Sequence, residues 1–560
     1  MFARVKKSGR FQYLQIVENQ RIDGKVRQQV LSTIGRVDQL QESGRLEGLL
    51  VSLAKFSEHA AVLDAVKTDR VQPSSTRHVG PALVFEKLWH QVGLPKLLES
   101  LLRGRKFEFS VERAVFVTVL HRLMVSGSDR AAEHWCRSQA IHGIHDLHLH
   151  HLYRAMAWLG EELPEAEAKL KGPSSPEIEL HVPSKAPRTC KDVIEEQLFS
   201  KRRRLFTNVE MVFFDTTSIY FEGEGGDEIG QHGYSKDHRP DLNQMVVGVV
   251  IDNQGRPICS ELLPGNTADI KVLLPVIDRL RLRFGIRKIC IVADRGLISA
   301  EILRELEARH LQFILGARLR AVKEIRETVL SDQTPTQEVH PERVTSHDPS
   351  PLQVKDVYVD TRRYVVCHNE EQAIKDRHDR EAILAGLKDQ LKQGTKSLVG
   401  NKGYRKYLRE KTKGSFEIDT AKVESESRFD GQWVLRTNTE LNAQDVALKY
   451  KDLLVVESLF RNMKSVLDTR PIYHKCDATI RGHVFCSFLA LILMKELQIC
   501  LAERGWTVEW SRLITDLNEL QELAFEVDGK RFQLRTPPQG GAGKAIQAVG
   551  VALGPAFQKR

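Results

Sequence analysis

The run Met211-Val-Phe-Phe-Asp-Thr-Thr-Ser-Ile-Tyr-Phe-Glu222 decides how the rest of the chain is read. Val209 to Phe214 is nearly continuous apolar sequence with no periodic polar face, which predicts a short strand buried on both sides. It ends on Asp215, followed by Thr216, Thr217 and Ser218. A carboxylate at the mouth of a buried strand is held by rigid backbone and still reaches solvent. That suits a metal ligand or a group facing a reacting phosphate. Taken alone, the same Asp reads more simply as the start of a turn.

Downstream of this stretch, strands and helices alternate. A polar loop, 223–243, leads to a second strand at Gln244–Asp252, a turn at Asn253-Gln-Gly255 and a third strand at Arg256–Leu263. Thr267–Phe284 has a helical apolar face from Ile270, Leu273, Leu274, Ile277 and Leu280. Lys288–Ala293 is a fourth, largely apolar strand, and it also ends on a carboxylate, Asp294. A helix at Ser299–Arg309 and a strand at Leu311–Gly316 follow. The order β-β-β-α-β-α-β allows a three-strand meander and then a right-handed crossover to a parallel strand. If that strand pairs with the first, Asp215 and Asp294 emerge together, about 4.8 Å apart in the pairing direction. Two carboxylates so placed repel, and a shared divalent cation is the natural remedy.

Residues 443–468 form a predicted helix on which Tyr450, Glu457, Arg461 and Lys464 share a face beside an apolar stripe of Leu453, Val456, Phe460, Met463 and Leu467. Glu457 becomes the third candidate carboxylate. The stretch between Asp294 and that helix holds short strands at Val354–Val359 and Tyr364–Cys367, and a charged helix at Gln372–Gln393. It also holds Lys402-Gly-Tyr-Arg-Lys-Tyr-Leu-Arg409, whose interleaved cations and aromatics suit a nucleic acid or an ordinary exposed loop. A strand near Phe429–Asn438 returns to the main sheet, and Thr479–Leu501 is a long apolar helix.

Before the central strand, Phe11–Val17 and Val26–Ile34 read as two strands around the Asp23-Gly24 turn. Such a basic ribbon packs as an edge or contacts DNA. Residues 80–165 are helical, with Ser110 and Ser128 as helix starts. Within them, His142, His145, His148, His150 and His151 crowd one stretch without the spacing of a zinc site, so a polar turn into a helix is the better reading. The cluster Lys201-Arg-Arg-Arg204 either touches a phosphate backbone or ends a solvated helix. Val71–Arg77 reads as a polar linker and Pro537–Arg560 as loosely held. The expected domains are a basic hairpin (1–36), a helical DNA-binding or dimerisation domain (37–170), a linker with a basic segment (171–208) and the first part of an α/β core (209–318). An insertion (319–431), the second part of the core with the Glu457 helix (432–510) and a C-terminal segment (511–560) follow.

Composition sets the outer bounds. The chain has 560 residues, 41% hydrophobic and 28% charged, which is enough apolar mass for several cores. A net charge of +9 permits a nucleic-acid partner without demanding one. Eight scattered cysteines suggest neither a disulfide framework nor a thiolate zinc site, in keeping with a reducing cytoplasm. No secretory signal is expected, and the densest apolar stretch, Val484–Met494, reads as too short for a bilayer.

Six motifs, in order, are Phe214-Asp-Thr-Thr-Ser218, His232-Gly-Tyr-Ser-Lys-Asp-His-Arg-Pro-Asp-Leu242, Pro264-Gly-Asn-Thr-Ala-Asp269, Val292-Ala-Asp-Arg-Gly296, Phe429-Asp-Gly431 and Tyr450-x6-Glu457-x6-Lys464. With Arg470-Pro-Ile-Tyr-His474 and Ile480-Arg-Gly-His483 they resemble the DDE transposases of bacterial insertion sequences. Within these the resemblance is to the group with a Tyr-x2-Arg-x3-Glu-x6-Lys signature, and to its 1634-type subgroup. The chain departs from the signature at position 453, where Leu453 replaces the Arg; Arg461 is a candidate substitute.

The resemblance implies a ribonuclease-H-like catalytic domain, a mixed five-stranded sheet flanked by helices, with a β-rich insertion and an N-terminal all-α domain. It implies Asp215, Asp294 and Glu457 as catalytic residues and ligands of two Mg²⁺ (or Mn²⁺) ions. Tyr450 and Lys464 match positions that contact the transposon end, and Arg461, Lys236 and Arg239 are further candidate DNA contacts, with His232 in the same loop. The expected partners are double-stranded transposon ends and target DNA, with a homodimer in the synaptic complex, in the bacterial cytosol and not on a membrane. The expected activity is cleavage at terminal inverted repeats and transfer of the 3′-OH ends. The alternatives are a non-catalytic DNA-binding homologue acting as a repressor, or a stand-alone nuclease. Thr216 and Thr217 are candidates for orienting Asp215.

Overall fold

β-Branched and aromatic residues dominate Met211–Tyr220, and this strand lies at the heart of the largest sheet. The computed structural model describes residues 1–22, 25–54, 62, 66, 71–164, 188–202, 211–268, 272–286, 289–297, 299–340, 350–393, 406–412 and 415–559. The readings placed on the Asp23-Gly24 turn, on Arg203–Arg204, on most of the 171–208 linker, on Asp269 and on the first half of the Lys402–Arg409 stretch lie outside the described residues.

The strands in chain order are β1 (Phe2–Ser8), β2 (Phe11–Ile22), β3 (Lys25–Arg36), β4 (Gln72–His78), β5 (Met211–Tyr220), β6 (Gln244–Ile251), β7 (Pro257–Pro264), β8 (Cys290–Ala293) and β9 (Gln312–Gly316). β10 (Gln337–Val339), β11 (Leu352–Val359), β12 (Arg362–His368), β13 (Leu408–Thr412), β14 (Ser415–Ile418), β15 (Gln432–Thr437), β16 (Gln521–Val527), β17 (Lys530–Arg535) and β18 (Phe557–Lys559) complete the set. The residues fall into two compact units.

The larger unit, Pro81–Glu509 with Lys544–Val551, is built on a nine-stranded sheet of order β10-β11-β12-β15-β9-β8-β5-β6-β7. β5, β6 and β7 form the antiparallel meander. β8 pairs parallel to β5, and β9 parallel to β8. The sheet is larger than the five strands expected, because β15 closes antiparallel on β9 and carries β12, β11 and β10 with it. The strands expected within an insertion at 319–431 therefore extend the main sheet. One face of the central strands buries Phe214, Ile291, Phe313 and Leu315 against Val276, Ile277 and Leu280 of helix Leu273–Phe284 and Leu306 of helix Ala300–Ala308. Ser299 starts the latter helix by accepting the Ile302 amide.

The predicted helix at 443–468 is three segments. Ala443–Lys451 ends at Asp452, Leu453–Arg461 follows, and Asn462–Val466 is a π-helical turn in which the Leu467 amide reaches the Asn462 carbonyl. The stripe Leu453, Val456, Phe460, Met463 and Leu467 is buried as its spacing demands. The middle segment packs on β5.

Helices Gly80–Val92, Leu94–Leu101, Val111–Met124, Asp129–Trp135 and Leu149–Leu159 come from the N-terminal third. Ser110 and Ser128 cap two of them, accepting the Arg113 and Ala131 amides. In the histidine-rich stretch the expected turn leads into a helix that begins at Leu149. His151 accepts the His148 amide and stacks on Phe109, its ring 4.3 Å away.

Of these helices, Val111–Met124 and Leu149–Leu159 pack on Asp477–Ala502. With 26 residues, that helix is long and apolar enough to cross a membrane, which corrects the reading of Val484–Met494. Most of it is buried inside the protein, and Gly482 lets it approach closely. A Cβ there would lie 1.9 Å from the Met156 carbonyl oxygen.

The smaller unit, Met1–Gly80 with Trp510–Gly543 and Ala552–Arg560, holds two sheets. The N-terminal ribbon has three antiparallel strands, β1-β2-β3, rather than two. The Val71–Arg77 segment is not a linker. It forms edge strand β4 of the sheet β18-β17-β16-β4, with the Ser74 hydroxyl donating to the Ala524 carbonyl and Pro73 tolerated beside a register shift. The C-terminal stretch is likewise ordered. Gly540–Val549 is a helix that buries Ala542, Ala545, Ile546 and Val549.

Candidate active site

β5 and β8 run side by side in the same direction, with Phe214 opposite Ala293. The next residue on each is an aspartate, so Asp215 and Asp294 sit side by side where β8 ends; β5 does not end there as expected but runs on to Tyr220, paired with β6. The apolar side chains before them are buried, and this sets where the carboxylates emerge. Glu457 lies on the solvent side of helix Leu453–Arg461, whose other side packs on β5. Its charge reaches Asp215.

That shows in the acidity of Asp215, whose carboxyl is pushed up from 3.8 to about 6. Burial is the main cause, and the charges of Asp294 and Glu457 add to it, against the Thr216 amide and the Lys236 ammonium. Asp294 and Glu457 thus both act electrostatically on Asp215. Carboxylate oxygens carrying surplus negative charge are the kind of donor that suits a hard divalent cation.

The supports around the carboxylates are specific. The Thr216 amide donates to Asp215 Oδ1 at 2.7 Å, so the backbone of Thr216 orients this carboxylate. The Thr216 hydroxyl and carbonyl instead accept from Lys236 Nζ, at 3.0 and 2.8 Å. Tyr450 donates its hydroxyl to Asp294 Oδ1 at 3.0 Å. Burial, then the charge of Asp294 and that hydrogen bond, hold its phenol well above the usual tyrosine range, so it stays a donor. Gly316, the last residue of β9, makes room for it. A Cβ there would lie 2.3 Å from the Tyr450 hydroxyl oxygen. Neither the role of Gly316 nor the Tyr450–Asp294 bond was read from sequence, because both depend on β9 lying next to β8.

The candidate DNA-contacting residues are placed unequally. Arg461 is exposed one turn past Glu457. Leu453, at the signature Arg position, is buried and belongs to the helix's packing face. Lys464 Nζ bonds Asp237 Oδ1 at 2.8 Å, and burial pulls its pKa below the usual lysine range despite that partner. Arg239 pairs with Asp241 at 2.9 Å and lies over the Tyr220 ring. Lys236 is committed to Thr216.

Away from this edge, Asp129, His474 and His483 bring their ligand atoms within 4.8 Å of one another, as a metal site would; among the described residues the three carboxylates are not gathered that closely. Arg122 already supplies the cation there, donating to His483 Nδ1 at 2.9 Å and lying 3.8 Å from Asp129. Burial and that guanidinium hold His483 far below the usual histidine range. The cluster is a buried polar joint between helix Asp129–Trp135 and the long apolar helix.

A family model described as the transposase DDE domain matches residues 210–493, half of the chain. A second, described as the IS1634 family transposase N-terminal domain, matches residues 3–65. No curated protein matches the chain. DDE domains have a ribonuclease-H-like fold, act on DNA and generally use divalent metal ions, in agreement with the mixed α/β sheet and the carboxylate edge. The chain belongs to the DDE transposases, and within them to the IS1634 type.

Proposed function

We propose that the chain cuts phosphodiester bonds at the terminal inverted repeats of an insertion sequence and joins the freed 3′-OH ends to target DNA, with Asp215, Asp294 and Glu457 as its catalytic residues. The observation that carries this is the meeting of Asp215 and Asp294 on adjacent parallel strands, with the Glu457 charge acting on Asp215. The same three carboxylates would hold two Mg²⁺ or Mn²⁺ ions, which when bound would activate the attacking oxygen and stabilise the leaving one. Tyr450 keeps the Asp294 carboxylate in one orientation, and the Thr216 amide does the same for Asp215. Lys236 ties the 232–241 loop to β5 beside Asp215. Arg461, at the end of the Glu457 helix, and Lys464, in the π-helical turn after it, are the cations we assign to the backbone of the transposon end. Arg239 joins them once a phosphate competes with Asp241. A homodimer would bring both ends into one complex.

The test is cleavage and strand transfer on duplexes carrying the element's terminal repeats, with Mg²⁺ and with Ca²⁺. Wild type cuts with Mg²⁺, whereas Asp215→Ala, Asp294→Ala and Glu457→Ala bind the ends and do not cut. Full activity in all three variants would refute the assignment. A wild type that binds ends and never cuts would make the chain a DNA-binding repressor instead.

A further inference from the structure

Asp237 lies in the loop beside the carboxylate edge, and its side chain is 5% exposed. Its Oδ1 takes two cations at once, Lys464 Nζ and Arg470 Nη1, each at 2.8 Å. Its Oδ2 is buried without a hydrogen-bond partner. A buried carboxylate is costly unless paired, and here both cations sit on one oxygen. The pair therefore carries one positive charge more than Asp237 neutralises. Both cations keep contact with solvent, at 13% and 29% exposure. Arg470, like Arg239, also lies over the Tyr220 ring.

The residue before Asp237 fastens the same loop to β5. The Lys236 amide donates to the Ser218 hydroxyl at 2.7 Å, and its ammonium to the Thr216 carbonyl. The dipeptide Lys236-Asp237 thus ties β5 beside Asp215 to the chain that follows the Glu457 helix.

We propose that Asp237 is a positioning residue for the strand-cutting reaction. It holds Lys464 and Arg470 side by side as one seat for a DNA backbone phosphate and keeps that seat in register with the carboxylates. The proposal rests on the reading of this edge as a DNA-cutting site. An isolated lysine would wander over its rotamers, and holding it in place beforehand lowers the entropy lost on binding. The net charge of the seat suits one phosphate diester.

The test compares full-length wild type with Asp237→Asn, Asp237→Glu, Lys464→Gln and the double variant Asp237→Asn/Lys464→Gln, on a labelled duplex carrying the element's end. Asp237→Asn removes a negative charge, so it binds random-sequence duplex at least as well as wild type. Its cleavage at saturating DNA falls about 10- to 100-fold through misplacement of the seat, and Asp237→Glu recovers part of that loss. The double variant loses clearly less than the product of the two single losses, because Asp237 acts in part through that lysine and otherwise only through Arg470. Cleavage by Asp237→Asn at the wild-type rate, or losses that multiply in full in the double variant, would overturn the proposal. Cleavage that survives loss of the three carboxylates would instead overturn the reading of the site, so the two failures are distinguishable.

Discussion

Replacing Asp215 by Asn should stabilise the metal-free protein while abolishing cleavage. The folded-state pKa of Asp215 is about 6 against an ordinary 3.8. Because burial and like charges raise it, folding is penalised whenever this group must be ionised. The penalty is complete above about pH 6, shrinks as pH falls, and is gone below the unfolded-state value. At 1.36 kcal/mol per pH unit it amounts to about 3 kcal/mol at most. Asn is uncharged and its Oδ1 still accepts the Thr216 amide, so the variant escapes the penalty and keeps the bond. At about 2.1 cal/mol/K per residue of unfolding entropy over the Pro81–Glu509 body, the gain is about 3 °C in melting midpoint. The assay is thermal unfolding in chelator at pH 7.5, 5.5 and 4, with variant and wild type compared at each pH. The difference should be largest at pH 7.5 and shrink to about 0.6 kcal/mol at pH 4. Adding Mg²⁺ should raise wild type and narrow the gap. A variant melting at or below wild type at pH 7.5, or a gain as large at pH 4 as at pH 7.5, would refute the reasoning.

Other positions test the supports. Tyr450→Phe removes the donor to Asp294 and should slow cleavage about 10- to 100-fold, the worth of a hydrogen bond to a charged group, with DNA affinity nearly unchanged. A matching loss of affinity would return Tyr450 to direct DNA contact. Gly316→Ala crowds the Tyr450 hydroxyl and should cost about 1–3 kcal/mol in unfolding experiments, much of it recovered when Tyr450→Phe is added. Arg122→Met leaves Asp129 buried beside two histidines with no guanidinium and should destabilise by about 3–5 kcal/mol in denaturant unfolding. If β1 touches DNA, Lys6→Ala and Lys7→Ala should each reduce the slope of log affinity against log salt by about 0.9, and an unchanged slope would remove β1 from the interface.

The parts that were legible in the sequence are those whose cause is local. Apolar runs ending on Asp215 and Asp294 announced two buried strands, and strand order alone required the second to lie parallel to an earlier one. The apolar stripe from Leu453 to Leu467 likewise oriented Glu457. The break at Asp452 left that stripe intact and so left no mark on the pattern. Polar β4 looked like a linker because its stabilising partner, β16, is supplied from the far end of the chain. The Asp237–Lys464 pair spans 227 positions, and neither residue signals the other by spacing. Thr216 was singled out for its hydroxyl, but it is the backbone amide that holds Asp215, a group every non-proline residue possesses.

The unbroken sheet from β7 to β10 also has a consequence in time. A chain leaving the ribosome completes β5 and β8, and with them two carboxylates, long before Glu457 is made. The third carboxylate comes into place on the segment that follows β15, the strand that closes on β9 and joins the intervening strands to the rest. A product that ends anywhere between β9 and Glu457 has the strands that aim two carboxylates but lacks the third. On the proposed assignment, the capacity to cut arrives late in synthesis, and a truncated copy carries none of it.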